Sequence, residues 1–224
     1  FGHSADLDPL IKVAKKYKLK VVEDAAESIG SYYKGRHTGT IGHVGVISFN
    51  GNKSLTTGGG GVVITNNKKI ADQIRFLAST SKVKHAFKYL HHGLGYNYRL
   101  ANLNAAIGCA QIEKLKKIIN SHRKLFKIYK KVFSGINGIE ILGEPKKCFS
   151  NFWLQTLILK KNKKVSINKL LEYLNKKGYQ VRPTWDLISD MKFYKNFPKM
   201  NLSQSKEIRA TIINLPSSPE LIIN

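Results

Sequence analysis

The stretch 44–65, V-G-V-I-S-F-N-G-N-K-S-L-T-T-G-G-G-G-V-V-I-T, constrains the fold of this chain more than any other. It begins and ends with short apolar runs that predict two β-strands, and four consecutive glycines precede the second run. Consecutive glycines lose much backbone entropy on folding and pack no side chains, so they occur mainly where the chain bends sharply or approaches another group closely. The stretch therefore predicts two strands that flank one lysine, Lys53.

Lys53 allows two interpretations on this stretch alone. A lysine walled by apolar strands is partly desolvated, which favours the neutral amine that forms a Schiff base with a carbonyl. The alternative is a solvated lysine in a glycine-rich hairpin loop. Two nucleotide-binding motifs are excluded, because a Walker loop needs glycine where Asn52 stands and a dinucleotide-binding G-x-G-x-x-G must open a helix rather than a strand.

The composition predicts a globular protein, since 224 residues of which 42% are hydrophobic can supply a core. No apolar run approaches the roughly 20 residues that span a bilayer, and no basic and apolar leader opens the sequence. We therefore expect a soluble cytoplasmic protein without a membrane partner. Cys109 and Cys148 lack the spacing of a zinc site or a disulfide framework, so no metal is predicted.

The net charge of +24, from 38 lysines and arginines against 14 acidic residues, favours polyanionic partners. The lysines are spread along the chain, however, and no basic motif interleaved with aromatic residues typical of an RNA-binding module is present. Nucleic acid is thus an unlikely partner. A non-catalytic basic nucleic-acid-binding protein, or the remnant of an interrupted gene, is kept as the alternative to an enzyme.

The first part of the chain predicts α/β organisation. A helix is predicted over residues 8–17, with Asp6 as its N-cap. A strand over residues 19–23 follows, and Asp24 comes directly after it. Ligands of α/β sheets bind beyond the carboxyl ends of the strands, so Asp24 is a second candidate site residue. A partly buried carboxylate there needs a cationic or hydrogen-bonding partner, and an ordinary helix N-cap is the alternative.

Later segments predict a second, smaller domain. A long helical pattern over residues 103–133 is expected to break near Asn120, where we place the boundary between a large domain, 1–120, and a small α+β domain, 121–224. Glycines over residues 30–45 predict a hairpin or a flap. The remaining predicted elements are strands at 44–49, 62–65, 139–142, 152–159, 179–182 and 212–215, and helices at 68–77, at 167–177 and after a cap at Ser203.

These signals together match the requirements of pyridoxal phosphate: a lysine for a Schiff base, a carboxylate for the pyridine nitrogen and small polar groups for a phosphate. The motifs V-V-E-D-A-A-E-S, G-V-I-S-F-N-G-N-K-S-L-T-T-G-G-G-G and G-Y-N-Y-R-L-A-N-L-N-A-A-I-G-C-A-Q-I-E-K-L resemble those of the DegT/DnrJ/EryC1/StrS sugar aminotransferases, of fold type I. V-R-P-T-W and I-I-N-L-P-S-S-P extend the resemblance over essentially the whole chain. T-T-G-G-G-G and I-I-N-L-P-S-S-P look closest to the branch that makes 4-amino sugar nucleotides for legionaminic-acid-type nonulosonates.

The resemblance implies roles for the two candidate residues. Lys53 is expected to form the Schiff base with pyridoxal phosphate and to move a proton between substrate and cofactor. Asp24 is expected to keep the pyridine nitrogen protonated. The implied reaction moves an amino group from L-glutamate to the 4-keto carbon of a nucleotide-linked deoxy sugar, UDP-linked in this branch. Relatives with histidine in place of the lysine remove a hydroxyl instead, so Lys53 favours amino transfer.

The resemblance also implies further contacts. Ser48 and Asn52 are expected to bind the cofactor phosphate, Glu27 to contact the cofactor and Arg182 to contact the substrate. Asn97 is expected to reach the phosphate bound in a neighbouring subunit, which makes a homodimer with shared active sites the functional form.

Three departures from the family pattern accompany these expectations. Glu27 stands where many relatives have glutamine or histidine, and Ser189 stands where a histidine usually contacts the substrate. The family's chains also begin earlier, with a segment that supplies a phosphate turn and a ring that stacks on the cofactor. The resemblance thus implies the carboxyl-terminal part of such an enzyme, with exposed sheet edges. We expect these 224 residues alone to bind pyridoxal phosphate weakly or not at all.

Overall fold

The computed structural model describes residues 1–160 and 166–222. Its helices are α1 (Leu7–Lys16), α2 (Lys68–Ala78), α3 (Asn102–Glu113), α4 (Leu115–Val132), α5 (Ile167–Lys176) and α6 (Ser203–Arg209). Its strands are β1 (Val22–Asp24), β2 (Tyr32–Tyr33), β3 (Arg36–His37), β4 (Val44–Ser48), β5 (Gly61–Ile64), β6 (Lys82–Val83), β7 (Leu90–His91), β8 (Ile139–Ile141), β9 (Cys148–Phe149), β10 (Gln155–Leu159), β11 (Arg182–Pro183) and β12 (Ile212–Leu215).

The chain divides into two compact units. The larger unit holds residues Gly2–Ile119 and Pro145–Asn151, and the smaller unit holds Phe1, Asn120–Glu144 and Phe152–Asn224. The domain boundary placed near residue 120 from the sequence stays a prediction.

A three-stranded sheet in the order β1-β4-β5 forms the centre of the larger unit. β1 and β4 run parallel with Asp24 opposite Val46, and β5 pairs antiparallel with β4. Because side chains alternate between the two faces of a strand, Ile47 is buried while Asp24 and Val46 lie on the opposite, exposed face. Two strands flank the lysine loop, as the apolar runs at 44–49 and 62–65 predict.

Glu23 precedes Asp24 in β1 and lies on the opposite, buried face of the sheet, where it binds a loop. Its carboxylate accepts hydrogen bonds from the backbone N–H groups of Gly39 at 2.8 Å and Ile41 at 2.6 Å, and from that of Gly42. A buried carboxylate needs such donors to offset its lost hydration. A side chain at Gly45 would collide with the Gly39 carbonyl, so glycine permits this close approach.

The glycine-rich segment over residues 30–45 contains a hairpin, one of its two predicted forms. β2 pairs antiparallel with β3, and β9 adds to the other side of β2. Asp6 stands at the N-cap of α1, but its side chain makes no cap bond and accepts instead from the Tyr33 hydroxyl at 2.6 Å. The predicted N-cap position of Asp6 is therefore confirmed, but its carboxylate bonds to a tertiary donor instead of the N–H groups of the first helical turn.

The helical pattern over residues 103–133 is interrupted six residues earlier than predicted. α3 ends at Glu113 and α4 begins at Leu115, so the break falls at Lys114 rather than near Asn120. The Lys114 N–H bonds to the Gln111 carbonyl at 3.0 Å, a tightened final turn that ends α3. Within the described ranges, no helix combines the length and apolar character needed to cross a membrane.

The smaller unit is built on an antiparallel sheet in the order β11-β12-β10-β8. Its core is formed by buried aliphatic side chains from the sheet and the turn before β11, namely Ile141, Leu157, Val181, Ile213 and Leu215. Aromatic residues of α4 and leucines of α5 cover this core. Helices on an antiparallel sheet make this unit α+β, as the alternating segments beyond residue 120 predict.

His122 makes the stability of the smaller unit sensitive to acid. It is 3% exposed on α4, and burial lowers its pKa below the usual 6.5, against weaker opposing effects of the Ser217 backbone and Glu220. As pH falls below about 6.5, the unfolded chain binds a proton that folded His122 does not bind. We expect the free energy of unfolding, measured in urea, to fall by at most about 1.4 kcal/mol per pH unit from this residue.

The His122→Gln variant should lose this component of the pH dependence. The matched control is His92→Gln, which removes an exposed histidine and should keep it. Equal pH dependence in the His122→Gln variant and the unmodified protein would contradict the assignment.

Candidate active site

Two polar residues lie near each other at the edge of the sheet where β1 and β4 end. Asp24 is the last residue of β1 and Ser48 the last of β4, and the parallel register places both on the exposed face of the sheet. From the spacing of strands and residues, their Cα atoms lie about 8 Å apart. Asp24 Oδ1 accepts from the Ala26 N–H at 3.2 Å, and Ser48 Oγ accepts from the Asn50 N–H at 3.2 Å.

The loop between β4 and β5 holds Lys53 in a defined place. The Lys53 N–H donates to the Asn50 carbonyl at 3.1 Å, and the Thr57 N–H donates to the Phe49 carbonyl at 3.0 Å. Leu55, 1% exposed, anchors the loop in a core cluster that also includes Ile47 of β4. The backbone on both sides of Lys53 is therefore fixed by hydrogen bonds and by burial of Leu55.

The Lys53 side chain is desolvated and paired. It is 11% exposed, and its Nζ forms a salt bridge with Oε1 of Glu27, whose side chain is 37% exposed. The solvated hairpin lysine, one of the two interpretations of the sequence, is therefore wrong. A nearly buried ammonium group requires a partner of opposite charge, and Glu27 supplies it.

The donor set at this edge fits pyridoxal phosphate. It combines an amine that water reaches poorly, a strand-end carboxylate at Asp24 and a hydroxyl at Ser48. Asn52 lies in the same loop, where its side-chain oxygen accepts from the Asn50 amide at 3.2 Å. Space is open beside Gly51 and Gly59, where an added Cβ would meet no atom within 4 Å. Amine, carboxylate and phosphate-binding groups are the chemistry that this cofactor requires.

Three residues singled out from the sequence lie elsewhere. Asn97 is exposed and bridges to Ser79 just beyond the end of α2. Arg182 lies on β11 of the smaller unit, where its guanidinium donates to Asn175 Oδ1 at 2.9 Å. Ser189 is also in the smaller unit. The expected roles of these residues stay predictions.

Two asparagines that support the site were not singled out from the sequence. Asn104 of α3 donates through its side-chain amide to the Thr57 carbonyl at 2.6 Å and so holds the turn before the glycines. Asn151 donates to the Glu27 carbonyl from a position 124 residues away. Asn104 lies inside a motif that the sequence marks, whereas nothing local to Asn151 indicates its role.

Comparisons with known proteins bear on the whole chain. Residues 1–223 match the model of the DegT/DnrJ/EryC1/StrS aminotransferase family. GDP-perosamine synthase of Escherichia coli O157:H7 is 34% identical over 222 residues, which are 99% of this chain and 59% of that protein. The chain spans about half to three fifths of the length of the curated relatives it matches.

Solved structures confirm the predicted α/β fold of fold type I enzymes. Helicobacter pylori PseC, an aminotransferase involved in the biosynthesis of pseudoaminic acid, has a TM-score of 0.91 at 24% identity, covering 98% of this chain and 60% of PseC. E. coli GDP-4-keto-6-deoxy-D-mannose-3-dehydratase, solved with bound hydrated PLP, has a TM-score of 0.85 at 22% identity, covering 97% of this chain and 61% of that chain. With the family match extending from residue 1 to residue 223, the chain belongs to the DegT/DnrJ/EryC1/StrS aminotransferase family.

Proposed function

We propose that the protein carrying this chain uses pyridoxal phosphate to transfer an amino group from L-glutamate to the keto carbon of a nucleotide-linked deoxy sugar. The observation that carries the proposal is the nearly buried Lys53 amine, paired with Glu27 beside the strand ends that hold Asp24 and Ser48. Membership of an aminotransferase family supports it, as does the similarity to enzymes named for an amino sugar nucleotide.

When bound, pyridoxal phosphate takes up the amino group at its aldehyde carbon and draws electrons from the substrate C–H bond into its ring. In the proposal, the Asp24 carboxylate keeps the ring nitrogen protonated and therefore electron-withdrawing. The Ser48 hydroxyl and the Asn52 amide bind the phosphate. The Lys53 amine would hold the cofactor covalently.

The Lys53 amine would also serve as the base that moves a proton between the donor carbon and the cofactor. Glu27 Oε1 holds the Lys53 Nζ in the cofactor-free chain. Covalent attachment of the cofactor would use the neutral Lys53 amine and would replace this ion pair. Formation of the imine bond from the amine and the aldehyde would release the aldehyde oxygen as water.

The finer proposal names the acceptor as the 4-keto carbon of a UDP-linked sugar, in the legionaminic-acid-type nonulosonate branch. The motifs T-T-G-G-G-G and I-I-N-L-P-S-S-P support this branch. The similarity to GDP-perosamine synthases makes GDP the nucleotide to test against UDP. A homodimer in which Asn97 completes the partner's phosphate site, with Arg182 on the substrate, belongs to the same proposal.

The test begins with the protein carrying this chain, loaded with pyridoxal phosphate. It is reduced with borohydride and then analysed by peptide mapping. We expect a pyridoxyl group on Lys53, because reduction traps the imine bond between this amine and the cofactor. Purified UDP- and GDP-linked 4-keto-6-deoxy sugars are then supplied with L-glutamate, and the amino sugar is detected by mass spectrometry. A pyridoxyl group on a different lysine, or no amino sugar from either nucleotide, would contradict the proposal.

A further inference from the structure

We propose that Asn151 is a positioning residue that sets the Lys53–Glu27 pair. Asn151 is fully buried, at 0% exposure, although it is polar. Its side-chain Nδ2 donates to the Glu27 carbonyl at 3.0 Å and to the Ile29 carbonyl at 2.9 Å. One amide therefore fixes the turn from which the Glu27 side chain reaches Lys53.

The chemistry of this contact requires a group with two hydrogens. The carbonyls of Glu27 and Ile29 are acceptors only, and a primary amide presents two N–H donors on one nitrogen. An aspartate at residue 151 has the same shape, but it would place an acceptor oxygen against both carbonyls. Two buried acceptors would then lose their donors, and the turn would have to shift to reach other donors.

Asn151 is itself held in place. Its backbone N–H donates to Ser31 Oγ at 2.9 Å, and that hydroxyl donates to the Gly2 carbonyl at 2.7 Å. Ser31 is fully buried, at 0% exposure. The turn over residues 27–31 is thus fastened at both ends to one distant residue, through the side chain of Asn151 at one end and its backbone at the other.

Lys53 is fixed by different groups. Its loop is held by the hydrogen bond to Asn50 and by the burial of Leu55, whereas the Asn151 amide bonds to the turn that carries Glu27. Asn151 therefore acts on the Glu27 side of the pair. By placing the carboxylate against Nζ, it determines how firmly the Lys53–Glu27 ion pair is held. The catalytic meaning of this control rests on the proposed function, whereas the control itself exists in the cofactor-free chain.

The experiment measures the reactivity of Lys53 in the cofactor-free protein. Acetic anhydride labels amines in their neutral form, and peptide mass spectrometry compares Lys53 with exposed Lys68 in the same sample. In the Glu27→Gln variant we expect the ratio of Lys53 to Lys68 labelling to rise about threefold, since the ion pair is lost. Asn151→Asp should produce a rise of similar size and should add little in the Glu27→Gln background, because both changes remove one interaction.

The matched control is Thr156→Val, which removes a buried hydroxyl bonded to Asn214 in the smaller unit and should leave the ratio unchanged. An unchanged ratio of Lys53 to Lys68 labelling in Asn151→Asp would overturn the proposal. So would an Asn151→Asp change that raises this ratio equally in the Glu27→Gln variant and in the protein that keeps Glu27. Circular dichroism checks folding. If Asn151→Asp unfolds, Asn151→Ala is measured in its place, and unfolding of both variants would also overturn the proposal. Mapping of the pyridoxyl group to another lysine would defeat the proposed function without altering this result.

Discussion

If Lys53 acts as proposed, replacing it with alanine is expected to lower the rate of amino transfer by about 10³-fold or more, because the variant would lose both the covalent attachment point and the proton-transferring base. The cofactor should then bind only through its ring and phosphate contacts. The rate is measured with L-glutamate in single turnovers, and covalent attachment is measured by borohydride trapping.

Two further variants make this result specific to the amine. Lys53→Arg keeps a positive charge opposite Glu27 but cannot form an imine bond, so it should be as inactive as the alanine variant while remaining folded. Lys68→Ala removes an exposed lysine that pairs with Asp72 on α2, and it should keep full activity. Substantial amino transfer by Lys53→Arg would show that another group performs the chemistry.

If Asp24 faces the ring nitrogen as proposed, replacing it with asparagine is expected to lower the same rate by about 10²-fold, because a neutral amide would not stabilise a positive charge there. The shape of the side chain is preserved, and the amide oxygen can still accept from the Ala26 N–H as Oδ1 does. The change should therefore lower the rate of proton removal while leaving the fold intact. Single-turnover kinetics with L-glutamate and a thermal unfolding curve separate these two effects.

Asp24→Glu is the companion variant, since it keeps the charge and lengthens the side chain by one methylene. It should recover part of the rate that the asparagine variant loses. If Asp24→Asn reacts as fast as the unmodified protein, the carboxylate does not face the ring nitrogen and its assigned role is wrong.

The sequence alone was sufficient for the strands on either side of the lysine loop, and it marks Lys53 and Asp24 as candidate site residues. Apolar runs bounded by glycines and asparagines are a local pattern, and local patterns predict strands and turns directly. The residue types are likewise local information, because an amine and a carboxylate are recognisable wherever they stand. The family resemblance rests on motifs of this kind.

Only the tertiary structure shows which groups contact Lys53. The burial of Lys53, its pairing with Glu27 and the support of that turn by Asn151 depend on contacts between segments 26 and 124 residues apart. The same holds for Glu23, whose carboxylate binds a loop 16 to 19 residues away, and for Asp6, whose partner is Tyr33. Periodicity describes which face of an element is apolar, but it does not specify which distant donor satisfies a buried acceptor. That pairing is selected only when the chain has folded and every buried polar group must find a partner.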